Sequence, residues 1–148
     1  MAAGCAAAFN MELQRAKKSR QPIFIGNLSA GNPDKDGLID ARAQLFNTSA
    51  KTYKYVDIGI TAYNRVGDAI IRDGDASSLI KLRFTGPLSP RRTPGISTWP
   101  NVWYVRKIAC LSVSRINITH MDGSVVAIDG PTLTDVLASK LSKGCTLS

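Results

Sequence analysis

The stretch from Lys51 to Arg65, Lys-Thr-Tyr-Lys-Tyr-Val-Asp-Ile-Gly-Ile-Thr-Ala-Tyr-Asn-Arg, restricts the fold more than any other part of the chain. Val56, Ile58, Ile60 and Ala62 occupy even positions, while Tyr53, Tyr55, Asp57, Thr61 and Tyr63 occupy odd ones. Successive side chains of a strand point to opposite faces, so this period of two predicts a strand with one face in a core. The other face then presents Tyr53, Tyr55 and Tyr63, with Lys54 and Arg65 close by. Aromatic planes beside cations suit stacking on bases and neutralising phosphates. Tyrosine is also a good strand former in its own right, so an ordinary solvated sheet face reads from the same residues.

Two Asp-Gly pairs extend the β pattern. Asp73-Gly74 separates Asp68 to Arg72 from Ser78 to Phe84, and Asp122-Gly123 separates the strand holding Ile116 and Ile118 from Val125 to Ile128. An Asp-Gly pair fits the two positive φ values of a type I′ turn, so each is read as a hairpin. Pro22 to Leu28 reads as a first short strand closed by Gly26 and Asn27, and Ala41 to Asn47 as a short helix or a strand. From Val102 to Val113 runs the longest apolar strand, with Val105, Ala109, Leu111 and Val113 on one parity and Ile116 and Ile118 on the other. That change near Ser114 and Arg115 predicts a bulge or bend. Trp99 and Trp103 flank its start, as core anchors or interface residues.

Between the two hairpins, Gly86 to Asn101 holds Pro87, Pro90, Pro94 and Pro100 with Arg91 and Arg92 at its middle. Prolines lack the N–H a ladder needs, so this segment reads as an exposed loop whose arginines either touch phosphate or are merely solvated. Leu133, Val136, Leu137 and Leu141 at helical spacing, Asp129 or Thr132 near the start and Gly144 at the end predict an amphipathic terminal helix.

A chain of 148 residues with 44% hydrophobic content can bury a core as one domain. The fold expected is all-β, a mainly antiparallel sandwich or jelly-roll-like domain over 21–148 ending in a short helix, after a basic N-terminal arm or helix over 1–20. In that arm Phe9, Leu13 and Ala16 have helical spacing, with Arg15, Lys17, Lys18 and Arg20 crowded behind them. The net charge of +8 arises from a scarcity of acids; Glu12 is the only glutamate. Such a balance favours polyanionic partners, nucleic acid first and an anionic membrane surface second.

Cys5, Cys110 and Cys145 are too few for a disulfide framework, and none is spaced for zinc, so a reducing compartment is expected and Cys110 reads as a small core residue. No apolar run reaches the length of a membrane span, and residues 2–9 lack the pattern of a secretory signal, so a cytosolic, nuclear or particle-borne protein is expected. The sequons at Asn27, Asn47 and Asn117 are read as accidental on that basis.

Chemistry is sparse. Asn32, Asp34, Asp36, Gly37, Ile39 and Asp40 mimic a calcium loop, but its twelfth position is Ala43 where a bidentate glutamate belongs, and the segment reads as a turn. His120, the only histidine, sits at a turn with no nucleophile or orienting acid marked by spacing. Neither a phosphate cradle nor a metal-ligand cluster is visible, and no catalytic residue, metal or cofactor is expected.

Tyr-Lys-Tyr-Val-Asp-Ile-Gly at Tyr53 to Gly59 resembles the early strand of the 30K-type plant-virus movement proteins, which usually carry a histidine where this chain has Asp57. That family's Asp-x-Arg strand end would fall near Leu79 to Phe84, where the aspartate is missing. The resemblance implies a jelly-roll-like viral domain binding single-stranded nucleic acid cooperatively. The composition is similar to that of small viral matrix or coat proteins. The function expected is a non-enzymatic, self-assembling viral structural protein of matrix or coat type that contacts RNA or nucleocapsid. A movement-type RNA-binding protein and a small metal-dependent hydrolase are the alternatives.

Overall fold

A computed structural model describes residues 11–105 and 107–138. Phe9, Leu141, Gly144, Cys5 and Cys145 lie outside the described residues, with the expectations placed on them. Helical residues 11–18 (α1) precede β1 (Phe24–Ala30), β2 (Leu38–Phe46), β3 (Tyr53–Tyr63), β4 (Ile80–Leu88), β5 (Ile96–Tyr104), β6 (Cys110–His120) and β7 (Val125–Asp129). A 3-10 turn at Gly130–Thr132 and a single helical turn, α2 (Leu133–Val136), follow. The protein is mostly antiparallel β, in a three-stranded sheet ordered β1-β2-β5 and a four-stranded sheet ordered β4-β3-β6-β7.

The alternation in β3 has the predicted consequence: Val56, Ile58, Ile60 and Ala62 are fully buried. β4 answers with Ile80 and Leu82 and β6 with Ile116 and Ile118, and these side chains share one apolar cluster with Ile25, Ile39, Ala41, Ala43 and Leu45 of the smaller sheet. Each large aliphatic side chain so buried contributes roughly 1.5–3 kcal/mol of transfer free energy. Leu13 and Ala16 of α1 join the same cluster, while Arg15, Lys17, Lys18 and Arg20 stay exposed. Residues 41–46, readable as helix or strand, are strand, with Ala41, Ala43 and Leu45 facing inward.

The predicted bulge near Ser114 is present: the β3–β6 register slips between Gly59 and Ile60, so that Gly59 pairs with Arg115 and Ile60 with Val113. The second hairpin also forms, but its turn is not type I′. Gly123 alone has positive φ, Gly123 N–H bonds the His120 carbonyl, and His120 N–H bonds the Ser124 carbonyl, which is a turn closed by a glycine bulge.

Several expectations fail where local devices or pairing override the pattern, and the single strand expected over Val102 to Val113 is in fact two, β5 ending at Tyr104 and β6 starting at Cys110 in the other sheet. Residues 68–72 form no hairpin strand; they contribute the isolated bridge Tyr63–Ala69, and β4 pairs with β3 instead. The Asn64 carboxamide oxygen accepts the N–H groups of Val66 and Asp68 and turns the chain away at once, leaving Asp73-Gly74 as a turn within the connection. Gly26 and Asn27 do not close β1 but form a bulge inside it, with Asn27 at φ 55°. Gly86 to Asn101 is not one long loop either, since β4 runs to Leu88 and β5 starts at Ile96, leaving 89–95. Pro87, after a cis peptide, and Pro100 both sit at register shifts, where a ladder does not need their missing N–H. The terminal helix stops after one turn, because Leu137 extends and bridges Ile25 in parallel, with Ala138 N–H donating to the Ile25 carbonyl.

Cys110, expected as a small core thiol in a reducing compartment, is instead half-buried and disulfide-bonded, which goes against that expectation. Trp103 is a core anchor, whereas Trp99 is half-buried and donates from Nε1 to the Arg83 carbonyl at 2.8 Å, tying β5 to β4. No helix of the described residues is long and apolar enough to cross a membrane.

Candidate nucleic-acid interface

The outer face of the four-stranded sheet follows from the register. Each row crosses the strands in the order β4, β3, β6, β7. The first is Thr85, Tyr55, Thr119 and Val125; the second Arg83, Asp57, Asn117 and Ala127; the third Lys81, Gly59, Arg115 and Asp129. Ile80, Leu82, Ile58, Ile60, Ile116 and Ile118 alternate with these on the opposite face and are buried, which forces the polar set outward.

At the centre, Arg83 grips Asp57 through two bonds, Nε to Oδ1 at 2.8 Å and Nη2 to Oδ2 at 3.0 Å. Asp57 is only 7% exposed, so its charge is matched by that guanidinium. The hydrogen bond to Asp57 raises the already high pKa of Arg83, which is charged at every accessible pH. The same guanidinium lies 4.3 Å from the centre of the Tyr55 ring, and Lys54 Nζ lies 5.4 Å from it. Arg83 spends two of its five donors on Asp57, so the fork retains capacity for a phosphate oxygen.

Lys81 and Arg115 stand either side of Gly59, two inter-strand steps of roughly 4.8 Å apart. Gly59 has no side chain between them, and packing does not demand that: an added Cβ would meet nothing nearer than 3.4 Å and no positive φ is needed there. The face thus has a shallow trough between two cations, bordered by Ser114 Oγ and Leu79 Cδ1 at 3.4 and 3.6 Å from where a Gly59 Cβ would lie, beside a cation-flanked ring. Asp129 approaches Arg115 at 3.8 Å with both side chains more than half exposed, a contact worth little in water.

The structure disperses the other residues singled out in the sequence. Tyr53 does not join a tyrosine platform: the β3–β4 and β3–β6 registers shift between Tyr53 and Tyr55, turning Tyr53 inward until it is 1% exposed. Its hydroxyl donates to the Pro22 carbonyl at 2.6 Å and its ring meets His120 edge-on at 5.4 Å. Burial raises the Tyr53 pKa above 10.0. Tyr63 is half-buried at the far end of β3, about 26 Å of strand from Tyr55. Arg65 is in the turn after β3 and, with Val66, Ile70, Val105 and Lys107, lines a separate depression. Arg91 and Arg92 are exposed in the 89–95 loop, and Arg15, Lys17, Lys18 and Arg20 lie on α1 and the turn after it. Only Lys54 and Tyr55 of the set meet on the outer sheet face.

Nothing in the sequence alone singles out Lys81, Arg83 and Arg115 as candidate site residues. The alternation of Lys81 and Arg83 with Ile80, Leu82 and Phe84 marks them as outward, but only pairing places them beside Tyr55 and Gly59. In the calcium-like stretch, Asp34 Oδ1 accepts the N–H groups of Asp36 and Leu38, and Asp40 Oδ1 accepts that of Asn101. Among the described residues no three His, Cys, Asp or Glu side chains gather as a metal-ligand group. No family model, curated protein or solved structure matches the chain.

Proposed function

We propose that this chain is a non-enzymatic, self-assembling viral structural protein of matrix or coat type that holds single-stranded nucleic acid on the outer face of its four-stranded sheet. The observation carrying this reading is the arrangement of Lys81, Arg83 and Arg115 around Tyr55 and Gly59. Phosphates of a flexible strand follow the cations, a base stacks beside Tyr55, and Thr85, Thr119 and Asn117 supply uncharged hydrogen-bonding groups. The net charge of +8 adds a long-range attraction that brings polyanions to any face. In this reading the two sheets are the layers of a sandwich wound in jelly-roll manner, the β3–β4 pair nested within the β2–β5 pair. The basic segments at 15–20 and 91–92 serve as auxiliary contacts, and the protein works in the virion or host cytoplasm. Similarity of Tyr53 to Gly59 to the movement-protein strand supports the same class of ligand. Asp57, which departs from that family's histidine, pairs here with Arg83.

Fluorescence anisotropy of a labelled single-stranded RNA across a salt series tests this. Affinity should fall steeply with salt, and each of Lys81→Ala, Arg83→Ala and Arg115→Ala should reduce the logarithmic slope by about 0.7. Unchanged slopes in all three variants would remove this face as the interface.

A further inference from the structure

We infer that β7 is a self-pairing edge, and that two copies of this chain join β7 to β7 antiparallel about a two-fold axis, making one continuous eight-stranded sheet. This specifies the self-association within the proposed function; nucleic-acid binding by single copies can stand without it.

The case begins with the four sheet edges of the described residues. At β1, the segment after α2 bridges Leu137 to Ile25 and donates from Ala138 to the Ile25 carbonyl, so part of that edge is occupied. β5 carries Pro100 and Asn101, the latter at φ 55°, within a register shift. β4 carries Lys81, Arg83, Pro87 and a register shift. These are the devices by which proteins keep strand edges from pairing. β7, Val-Val-Ala-Ile-Asp, has no proline, lysine or bulge, and stays in register with β6 along its length.

The apolar surface of β7 is incompletely covered on both sides. Val126 lies on the inner face opposite Ile118, which is 1% exposed, yet Val126 itself is 43% exposed, and Val125 on the outer face is 58% exposed. The larger sheet has one strand more than the smaller, and among the described residues Val126 is only partly covered. An added strand must supply edge hydrogen bonds and an apolar inward residue at that point. A second β7 does both. With the two-fold at Val126, that residue faces its own copy inside, Val125 faces Ala127 outside, and Asp129 falls past the overlap, so no like charges are opposed.

The symmetry also sets the salt dependence. Two chains of charge +8 repel, so screening strengthens the pairing while it weakens RNA binding. Pairing places two copies of the Lys81–Arg83–Arg115 face side by side, and one RNA spanning both offsets the repulsion and binds cooperatively.

Sedimentation velocity of the full chain, free of nucleic acid, at low and high salt is the test. Wild type should shift from monomer toward dimer as salt rises. Val126→Lys should weaken association on the order of tenfold by opposing two lysines across the axis, with an unchanged circular dichroism spectrum. A second readout avoids any folding artefact: Val126→Cys should give a covalent dimer on mild oxidation, above the wild-type background, whereas Leu79→Cys should not. A wild-type monomer at every salt, a dimer indifferent to Val126→Lys, or equal cross-linking from both cysteine variants would overturn the pairing. Val126→Lys should retain RNA binding but lose its cooperativity. Loss of RNA binding in the Lys81, Arg83 and Arg115 variants with the dimer intact separates the two ideas.

Discussion

Tyr53 and Tyr55, two positions apart on one strand, lie in opposite settings, Tyr53 buried and Tyr55 half-exposed on the outer sheet face. Tyr53→Phe removes the hydroxyl that serves the Pro22 carbonyl, and should cost about 1 kcal/mol in urea denaturation while leaving RNA affinity unchanged. Tyr55→Ala should do the reverse, weakening RNA binding by roughly 1–3 kcal/mol in anisotropy titrations with a smaller effect on stability. Burial raises the folded pKa of Tyr53, so the unfolded chain loses that proton first. The associated stability is complete below pH 10.0 and is lost as pH rises through the folded value. Denaturation midpoints should therefore fall above pH 10, less so in Tyr53→Phe. Asn47 illustrates a residue whose importance the sequence conceals. Buried, it donates to the Lys51 and Leu88 carbonyls and accepts from Ser49. Asn47→Ala should destabilise by about 1–3 kcal/mol, since it strands those partners.

At the scale of elements, β3 and β4 are joined where their ladder is interrupted, and Gly86 is the reason they can approach. A Cβ there would lie 2.5 Å from the Tyr53 carbonyl oxygen and 2.7 Å from Leu88 N, both main-chain atoms that cannot swing away. Gly86→Ala should destabilise by roughly 1–3 kcal/mol or more, read as a lowered denaturant midpoint. Gly59 makes the opposite case, because an added Cβ would make only ordinary contacts, with Ser114 Oγ at 3.4 Å, the Arg115 carbonyl oxygen at 3.5 Å and Leu79 Cδ1 at 3.6 Å. Gly59→Val should hold or raise stability, since valine suits a strand better, yet weaken RNA binding by filling the trough between Lys81 and Arg115. A Gly59→Val protein that binds RNA like wild type would show that the trough is unused.

For the whole molecule, the alternation of Lys51 to Arg65, the Asp122-Gly123 turn and the parity change at Ser114 made antiparallel β structure readable from the chain alone, because each is a rule about neighbours in sequence. The excess of cations was equally plain, being a sum over residues that needs no geometry. Pairing across long separations was not. Tyr53 departs from the face its parity assigns because the strands beside it slip. Pro87 and Pro100 fit into strands because bulges receive them, and residues 68–72 lose their place to β4 through Asn64 and a partner with the right alternation. The candidate interface follows the same logic: Lys81, Arg83, Arg115 and Tyr55 come from three strands spread over some sixty residues, and only registry makes them neighbours. The sequence by itself determined the period of each strand and the sign of the surface, which are local or additive. Tertiary structure alone decided which cations share a face and, among the described residues, which strands lie at the sheet edges, since both depend on hydrogen bonds between residues far apart in the chain.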